Sequence, residues 1–389
     1  MQAVILAGGF GTRLAHVVSD VPKPMAPIAG KPFLDYQIEL LRANGFDNFI
    51  LLTGYKAEVI ENYYADYADI RCLKENTPLG TGGAVINAYP FLEDEFFIVN
   101  GDTFFDIDFD IMRKFAENKD AVIALRYAKN ISRYGLVDIN SDFLIENFIE
   151  KGKLPSNRID GYINGGIYYL KKELLSEYHK NFNPRSISLE NEIFPCLVEQ
   201  EKLYGLPMGG AFIDIGIPED YYKAQDYIPQ TLKQEKKPFL FVDKDGTLIV
   251  NTGYPHGPKI QIIEHTIEIL KGYKEKGFEF IIVTNQAGLA KNKFSLSEME
   301  ENLQAVLQYY HNEGIDFLDV AFCPYHSDSL IPEYRYLSLA RKPNPGMILE
   351  MCERHRIDMK NSVMLGDNTE TDIIKLPYLK SFIIGENDV

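Results

Sequence analysis

No apolar run in this sequence approaches the roughly 18 residues that would cross a bilayer. The N-terminus lacks a basic region followed by an apolar stretch and a cleavage site, so a cytoplasmic protein is expected and no membrane association. Cysteine is scarce. The four present, Cys72, Cys196, Cys323 and Cys352, lie far apart, which argues against a disulfide framework. Basic excess is also missing. A formal charge of −16 disfavours nucleic acid as a partner, because phosphate backbones are bound through surplus Lys and Arg. Small phosphorylated substrates remain compatible, since they need only local cations. Internal repeats and low-complexity tracts are absent. What is present is a 389-residue chain with 46% apolar and 12% aromatic residues, a globular composition too long for one ordinary core. Two domains are the natural expectation.

Residues 4–14 read as a buried strand entering the turn Gly8-Gly9-Phe10-Gly11-Thr12-Arg13. Glycines at this spacing let backbone N–H groups approach an anion, and the guanidinium of Arg13 suits phosphate oxygens. A Walker loop is excluded, because Gly11-Thr12-Arg13 does not supply its Gly-Lys-Ser/Thr ending. A dinucleotide fingerprint is excluded by Leu14, where its third glycine would stand. Lys23, stiffened between Pro22 and Pro24, adds a second cation downstream. The string Leu6-Ala7-Gly8-Gly9-Phe10-Gly11-Thr12-Arg13-Leu14 with Pro22-Lys23-Pro24 resembles the signature of sugar-1-phosphate nucleotidyltransferases. That resemblance implies a nucleotide held by residues 6–9, Gly11, Thr12, Arg13 and Lys23, with Arg13 and Lys23 neutralising the triphosphate.

Further along, a helix is expected over residues 33–44, ending at Gly45, then a strand over 49–53 and a helix reaching Tyr64. Such alternation argues for a doubly wound sheet. Glycines at 80, 82 and 83, expected just before a helical run, read as backbone lying against a ligand. By resemblance, Pro78, Leu79, Gly80, Thr81 and Gly82 read the nucleobase edge, and the Pro-Leu-Gly-Thr-Gly-Gly-Ala version is similar to guanylyltransferases acting on manno-configured heptose 1-phosphate. The apolar strand at 96–100 delivers Asp102 to the end of a central strand, where ligands bind in such sheets. The resemblance makes Asp102 a Mg²⁺ ligand completed by Asp214, with Asp106 a further acid nearby. It also assigns Lys151 to the sugar phosphate, and an Asn164-Gly165-Gly166 turn to the sugar hydroxyls. Two carboxylates suit Mg²⁺, which keeps water or phosphate for its remaining positions.

Residues 229–238, polar and bracketed by prolines, read as a linker. Beyond it the strand at 239–242 presents Asp243 and Asp245, spaced so that one carboxylate can attack phosphorus while the other protonates the leaving oxygen. A calcium loop is excluded, since Thr247 occupies the fifth position. Asp243-Lys244-Asp245-Gly246-Thr247 resembles the haloacid dehalogenase superfamily. Thr284 with Asn285, Arg341 with Lys342, and Asp367 followed by Thr371-Asp372 match its later motifs in order. The resemblance implies a nucleophile at Asp243, an acid at Asp245, phosphoryl and substrate contacts from Thr284, Asn285, Arg341 and Lys342, and Mg²⁺ on Asp243, Asp245 and Asp367. It narrows to heptose bisphosphate and histidinol phosphatases, some of which carry a zinc loop. Here Cys323 and His326 remain, but residues 337–340 replace the second ligand pair, so zinc is not expected. Asn368 also replaces the lysine usual after the last acid.

The expected fold is therefore α/β with two Rossmann-like three-layer domains. The first is a nucleotidyltransferase-type (GT-A-like) mixed sheet over 1–228; the second, after a linker at 229–238, is a haloacid dehalogenase-like parallel sheet over 239–389 without a large cap. Together they imply a bifunctional, Mg²⁺-dependent enzyme using GTP and heptose phosphates. A mannose 1-phosphate transferase fused to a different phosphatase, or one non-catalytic half, are the alternatives, and homo-oligomerisation stays open.

Overall fold

The computed structural model describes residues 1–10, 14, 16–129, 131, 135–150 and 155–384. Met1–Arg126, Gly135–Ile149 and Ile163–Gln234 form one compact unit; Tyr127–Tyr134, Glu150–Tyr162 and Glu235–Val389 form the other.

The first unit is built on a seven-stranded sheet in the order Leu203–Pro207, Ala121–Ala128, Gly161–Lys171, Glu95–Asn100, Gln2–Ala7, Asn48–Thr53, Ile70–Lys74. Gln2–Ala7 sits inside it because Ala3, Val4 and Ile5 are fully buried, the near-continuous apolar run of a strand covered on both faces. It pairs in parallel on both sides, with Ala7 opposite Thr53 and Leu6 opposite Asn100, so three carboxyl ends meet. Gly161–Lys171 runs antiparallel to Glu95–Asn100, which makes the sheet mixed. A core cluster joins Phe33, Tyr36 and Leu40 of helix Phe33–Ala43 to Phe104, Ile213 and Ile215 and to Tyr221, Ala224 and Ile228 of helix Pro218–Lys233.

Three local expectations change. The glycine stretch does not precede a helix but forms its first turn, Gly80–Asn87. Gly82 and Gly83 donate their N–H groups to the Ile187 carbonyl at 2.8 and 3.1 Å. A Cβ on Gly80 would lie 2.6 Å from that same oxygen, so these glycines admit a neighbouring backbone. The Asn164-Gly165-Gly166 segment is not a turn but lies within the 11-residue strand Gly161–Lys171. Gly166 has φ +75°, and its Cβ would fall 2.9 Å from Asn100 Nδ2, the close approach that strand glycines commonly mark. Finally, helix Pro218–Lys233 continues through Pro229 into the stretch read as linker. Tyr221, Ala224, Ile228 and Thr231 keep one buried stripe at helical spacing, and that packing outweighs the proline.

The second unit holds a five-stranded, all-parallel sheet in the order Phe317–Cys323, Glu279–Asn285, Phe239–Val242, Val363–Gly366, Lys380–Ile383. Strand residues alternate between faces. Leu240, Val242, Phe280 and Ile282 pack with Ile267 and Leu270 of helix Glu264–Glu275 and Val306 and Tyr310 of helix Leu296–Asn312. Phe241, Ile281 and Met364, on the alternate positions, are equally buried. The fold is α/β in both units, as expected, and no helix among the described residues is long and apolar enough to cross a membrane.

Replacing Phe104 by Ala, fully buried in the first unit's cluster, is expected to cost about 3–5 kcal/mol. Urea unfolding followed by circular dichroism measures it; a loss under about 1 kcal/mol would show that the site collapses around the gap.

Candidate active sites

In the first unit a cavity of about 410 Å³ opens at the carboxyl ends of the central strands, lined among others by Leu6, Gly8, Gly9, Lys23, Pro78, Gly80, Thr81 and Asp102. These eight come from four stretches that the sequence motifs singled out. Lys23 begins a short 3₁₀ turn fixed by its flanking prolines. Its ammonium forms an ion pair with Asp102 Oδ2 and lies 3.8 Å from Asp214 Oδ1. Asp214 is brought there because strand Phe212–Asp214 pairs with Thr103–Phe105, and Gly216 N–H donates to Asp214 Oδ1 at 2.7 Å. The two acids expected to share a metal thus already share a cation.

Ala7, Leu79 and Gly82 are buried and outside the cavity lining. Asn164 turns its amide onto its own strand, donating to Tyr168 Oη at 3.1 Å and accepting from Gly166 N–H at 2.9 Å; it and both glycines lie outside the cavity lining. Asp106 is buried and also outside it. Gly11, Thr12, Arg13 and Lys151 fall outside the described residues.

Two cavity acids were not singled out from sequence. Glu75 accepts from Leu79 N–H at 2.8 Å, and burial pushes its carboxyl above the ordinary range. Glu190 accepts from Thr81 Oγ1 at 2.9 Å and from Ser188 Oγ at 3.1 Å. The only hint for Glu75 was its place just ahead of the glycine stretch; Glu190 comes from a remote segment.

In the second unit a cavity of about 390 Å³ is lined by Asp243, Asp245, Thr284, Asn285, Arg341, Lys342 and Asp367, the whole set expected from the motifs, together with Tyr254, Gln286, Phe294 and Asn368. Strands Phe239–Val242, Glu279–Asn285 and Val363–Gly366 carry Asp243, Thr284 and Asp367 to one edge. Asn285 and Lys342 exchange hydrogen bonds, side-chain amide against backbone, at 3.0 and 3.1 Å, which pins the Arg341-Lys342 loop to a strand end. Lys342 Nζ then reaches Asp243 Oδ1 at 2.7 Å and Asp372 Oδ1 at 2.6 Å. Burial raises the Asp243 carboxyl to about 6, against the pull of Lys342 and with the push of Asp372. Burial alone would lower Lys342, yet Asp243 and Asp372 hold it above its usual value.

Asp243, Asp367 and Asp372 each place one carboxylate oxygen within 4.8 Å of the other two. Asp372 replaces Asp245 in that group. Asp245 instead points its oxygens at Lys244 Nζ, 2.6 Å, and Gln286 Nε2, 2.9 Å. A Cβ on Gly246 would meet Asp367 Oδ2 at 2.1 Å, so this turn admits the carboxylate only as glycine. Cys323 is buried with its thiol pushed up to about 11, chiefly by desolvation, and His326 Nδ1 accepts from Asp328 N–H at 3.1 Å. Ser338 and Leu339, in the place of a second zinc-ligand pair, both donate to Asp160.

Residues 2–249 match the family model described as Nucleotidyl transferase, and residues 238–378 the model Polynucleotide kinase 3 phosphatase. The D-glycero-alpha-D-manno-heptose 1-phosphate guanylyltransferase of Campylobacter jejuni is 40% identical over 227 residues, covering 57% of this chain and 97% of that protein. Its counterpart in Aneurinibacillus thermoaerophilus is 42% identical over 233 residues, covering 58% and 97%. A Bacillus anthracis chain solved with sucrose shares the fold at 20% identity and a TM-score of 0.51, covering 60% of this chain and 96% of its own.

Lys342→Met would leave Asp243 and the fully buried Asp372 without their shared ammonium. Breaking such a pair is expected to cost about 3–5 kcal/mol, read as a lower urea midpoint for the second unit. An unchanged midpoint would mean that the two acids take up protons and relax.

Proposed function

The chain belongs to the nucleotidyl transferase family, and on that footing we propose a bifunctional enzyme of nucleotide-activated heptose synthesis, supplying a surface polysaccharide. The second unit removes the 7-phosphate of D-glycero-α-D-manno-heptose 1,7-bisphosphate. The first transfers GMP from GTP to the resulting heptose 1-phosphate and releases pyrophosphate. The observation that supports this reading is the presence in one chain of two cavities, one lined by Lys23 and Asp102 and the other by Asp243, Asp245 and Lys342.

In the first site the sugar phosphate, already an anionic nucleophile, attacks the α-phosphorus without a general base. Lys23 and Arg13 hold the triphosphate, while Lys151 serves the sugar phosphate. Glu75 supports guanine. A carboxylate accepts from the N1–H and N2–H₂ donors of that base, and no comparable donor pair exists on adenine. Asp102 and Asp214 would hold Mg²⁺, a fit supported by the ammonium they already attract.

In the second site Asp243 has Oδ1 committed to Lys342, which leaves Oδ2 to attack phosphorus and form an aspartyl phosphate. Asp245 gives a proton to the departing sugar oxygen and takes one from the water that later frees phosphate. Thr284, Asn285 and Arg341 bind the phosphoryl group and substrate. Asp243 and Asp367, close enough to share an ion, would hold Mg²⁺. Bound there, Mg²⁺ supplies charge neutralisation at phosphorus.

Mass spectrometry after incubation with Mg²⁺, GTP and the bisphosphate should find GDP-heptose, phosphate and pyrophosphate, with CTP, UTP, dTTP and ATP poorer donors. Phosphate without nucleotide sugar would overturn the transferase assignment, and phosphate from a 3′-phosphorylated oligonucleotide alone would overturn the phosphatase one. Asp243→Asn should lower phosphate release by roughly 10³-fold or more while transfer to heptose 1-phosphate stands, measured in separate assays. Glu75→Gln should weaken GTP use by roughly 10–10²-fold, the effect of mispairing a buried polar edge.

A further inference from the structure

One charged group in the second unit has no place in the mechanism above. Lys244, between the two motif acids, is fully buried at 0% exposure. Its ammonium lies 2.6 Å from Asp245 Oδ1 and donates to Asn302 Oδ1 at 2.7 Å. Burying an ammonium costs several kcal/mol unless partners restore what water supplied. Asn302, itself fully buried, is such a partner, and its Nδ2 donates onward to the Gly257 carbonyl at 3.0 Å. Gly257 is anchored in turn by donating its N–H to the Glu298 carbonyl at 2.8 Å. The other oxygen of Asp245 accepts from Gln286 Nε2, which is 2.9 Å from Asp245 Oδ2 and also donates to Thr284 Oγ1 at 2.9 Å.

Asp245 thus meets the Lys244 ammonium in an ion pair at Oδ1, without an aligned hydrogen bond, and accepts a hydrogen bond at Oδ2, and these two contacts run in two directions. Through Gln286 it reaches the phosphoryl-binding strand end. Through Lys244, Asn302 and Gly257 it reaches the end of the segment whose Asn251, Gly253, Tyr254 and Pro255 line the cavity. A proton donor works only when its oxygen sits within hydrogen-bond reach of the leaving group, and a displacement near 1 Å can cost on the order of 10²-fold.

We propose that Lys244 is a positioning residue for phosphoryl transfer: with Asn302 it fixes the Asp245 carboxyl relative to the cavity wall that seats the leaving group. This rests on the phosphatase reading given above. Lys244 itself touches no substrate. Its effect should appear only where the leaving oxygen needs a proton.

The test uses the full chain and two substrates, the heptose 1,7-bisphosphate, whose leaving group is a sugar alkoxide that needs a proton, and p-nitrophenyl phosphate, whose leaving group is a stabilised phenolate. The quantity compared is kcat/KM, because it covers only the steps through departure of the leaving group. Lys244→Met should lower kcat/KM for the bisphosphate by roughly 10²-fold, the lower range of general-acid contributions, and that for p-nitrophenyl phosphate by no more than about threefold. Lys244→Arg should recover part of the loss. Asn302→Leu, which keeps the ammonium but removes its tether, should show the same selective loss, and it serves if Lys244→Met does not fold. Nucleotidyl transfer in all three variants should match the parent. Equal losses on both substrates, or none, would overturn the proposal while the phosphatase reading stands. A parent protein that cleaves neither phosphate would overturn the phosphatase reading and this proposal with it.

Discussion

A lysine shut in between two carboxylates recurs in both units, and each site depends on it. Lys23 stands between Asp102 and Asp214, and Lys342 between Asp243 and Asp372. In each case the acids come from different segments of the chain, and like charges brought together would repel. The ammonium turns repulsion into cohesion, so the loops that carry the acids are held where they are. Such clamps are expensive in desolvation, which makes them weak evidence for stability and stronger evidence for a charge arrangement kept for use. Backbone constraints back them up: two prolines fix the turn of Lys23, and Asn285 pins the loop of Lys342.

The sheets explain why the clamps form where they do. Parallel strands buried on both faces end together, and the segments leaving their carboxyl ends converge on one edge. In the first unit Ala7, Asn100 and Thr53 end adjacent strands. In the second, Asp243 and Asp367 follow two neighbouring strands, and Thr284 is the last residue but one of a third. The two cavities nevertheless differ in chemistry. The first is walled largely by glycine, leucine and proline, suited to a base and its phosphates, while the second is crowded with acids, amides, one arginine and one lysine, suited to moving a phosphoryl group and a proton.

Much of this was legible in the chain before any coordinates, because the informative residues sit at strand ends within short motifs. Residues 6–9, Lys23, Asp102, Asp214 and the Asp243 to Asp367 series were all identifiable, and the structure brings those of each half together. The misreadings share one cause. Glycines at 80–83 and at 165–166 signal that something approaches the backbone, but not what; here it is the Ile187 carbonyl and the Asn100 side chain. Likewise a proline at 229 reads as a break when considered locally, whereas the buried stripe from Tyr221 to Thr231 carries the helix through it.

The sequence by itself determined where the strands run, which acids and cations stand at their ends, and the two chemistries those groups support, since all of that follows from local pattern and side-chain type. Only the tertiary structure decided which groups face each other. Glu190 meets Thr81 across 109 positions, Lys244 meets Asn302 across 58, and Asp372 displaces Asp245 from the cluster of three acids. Distances of that kind depend on how sheets twist and helices pack over the whole core, and no window of residues contains them.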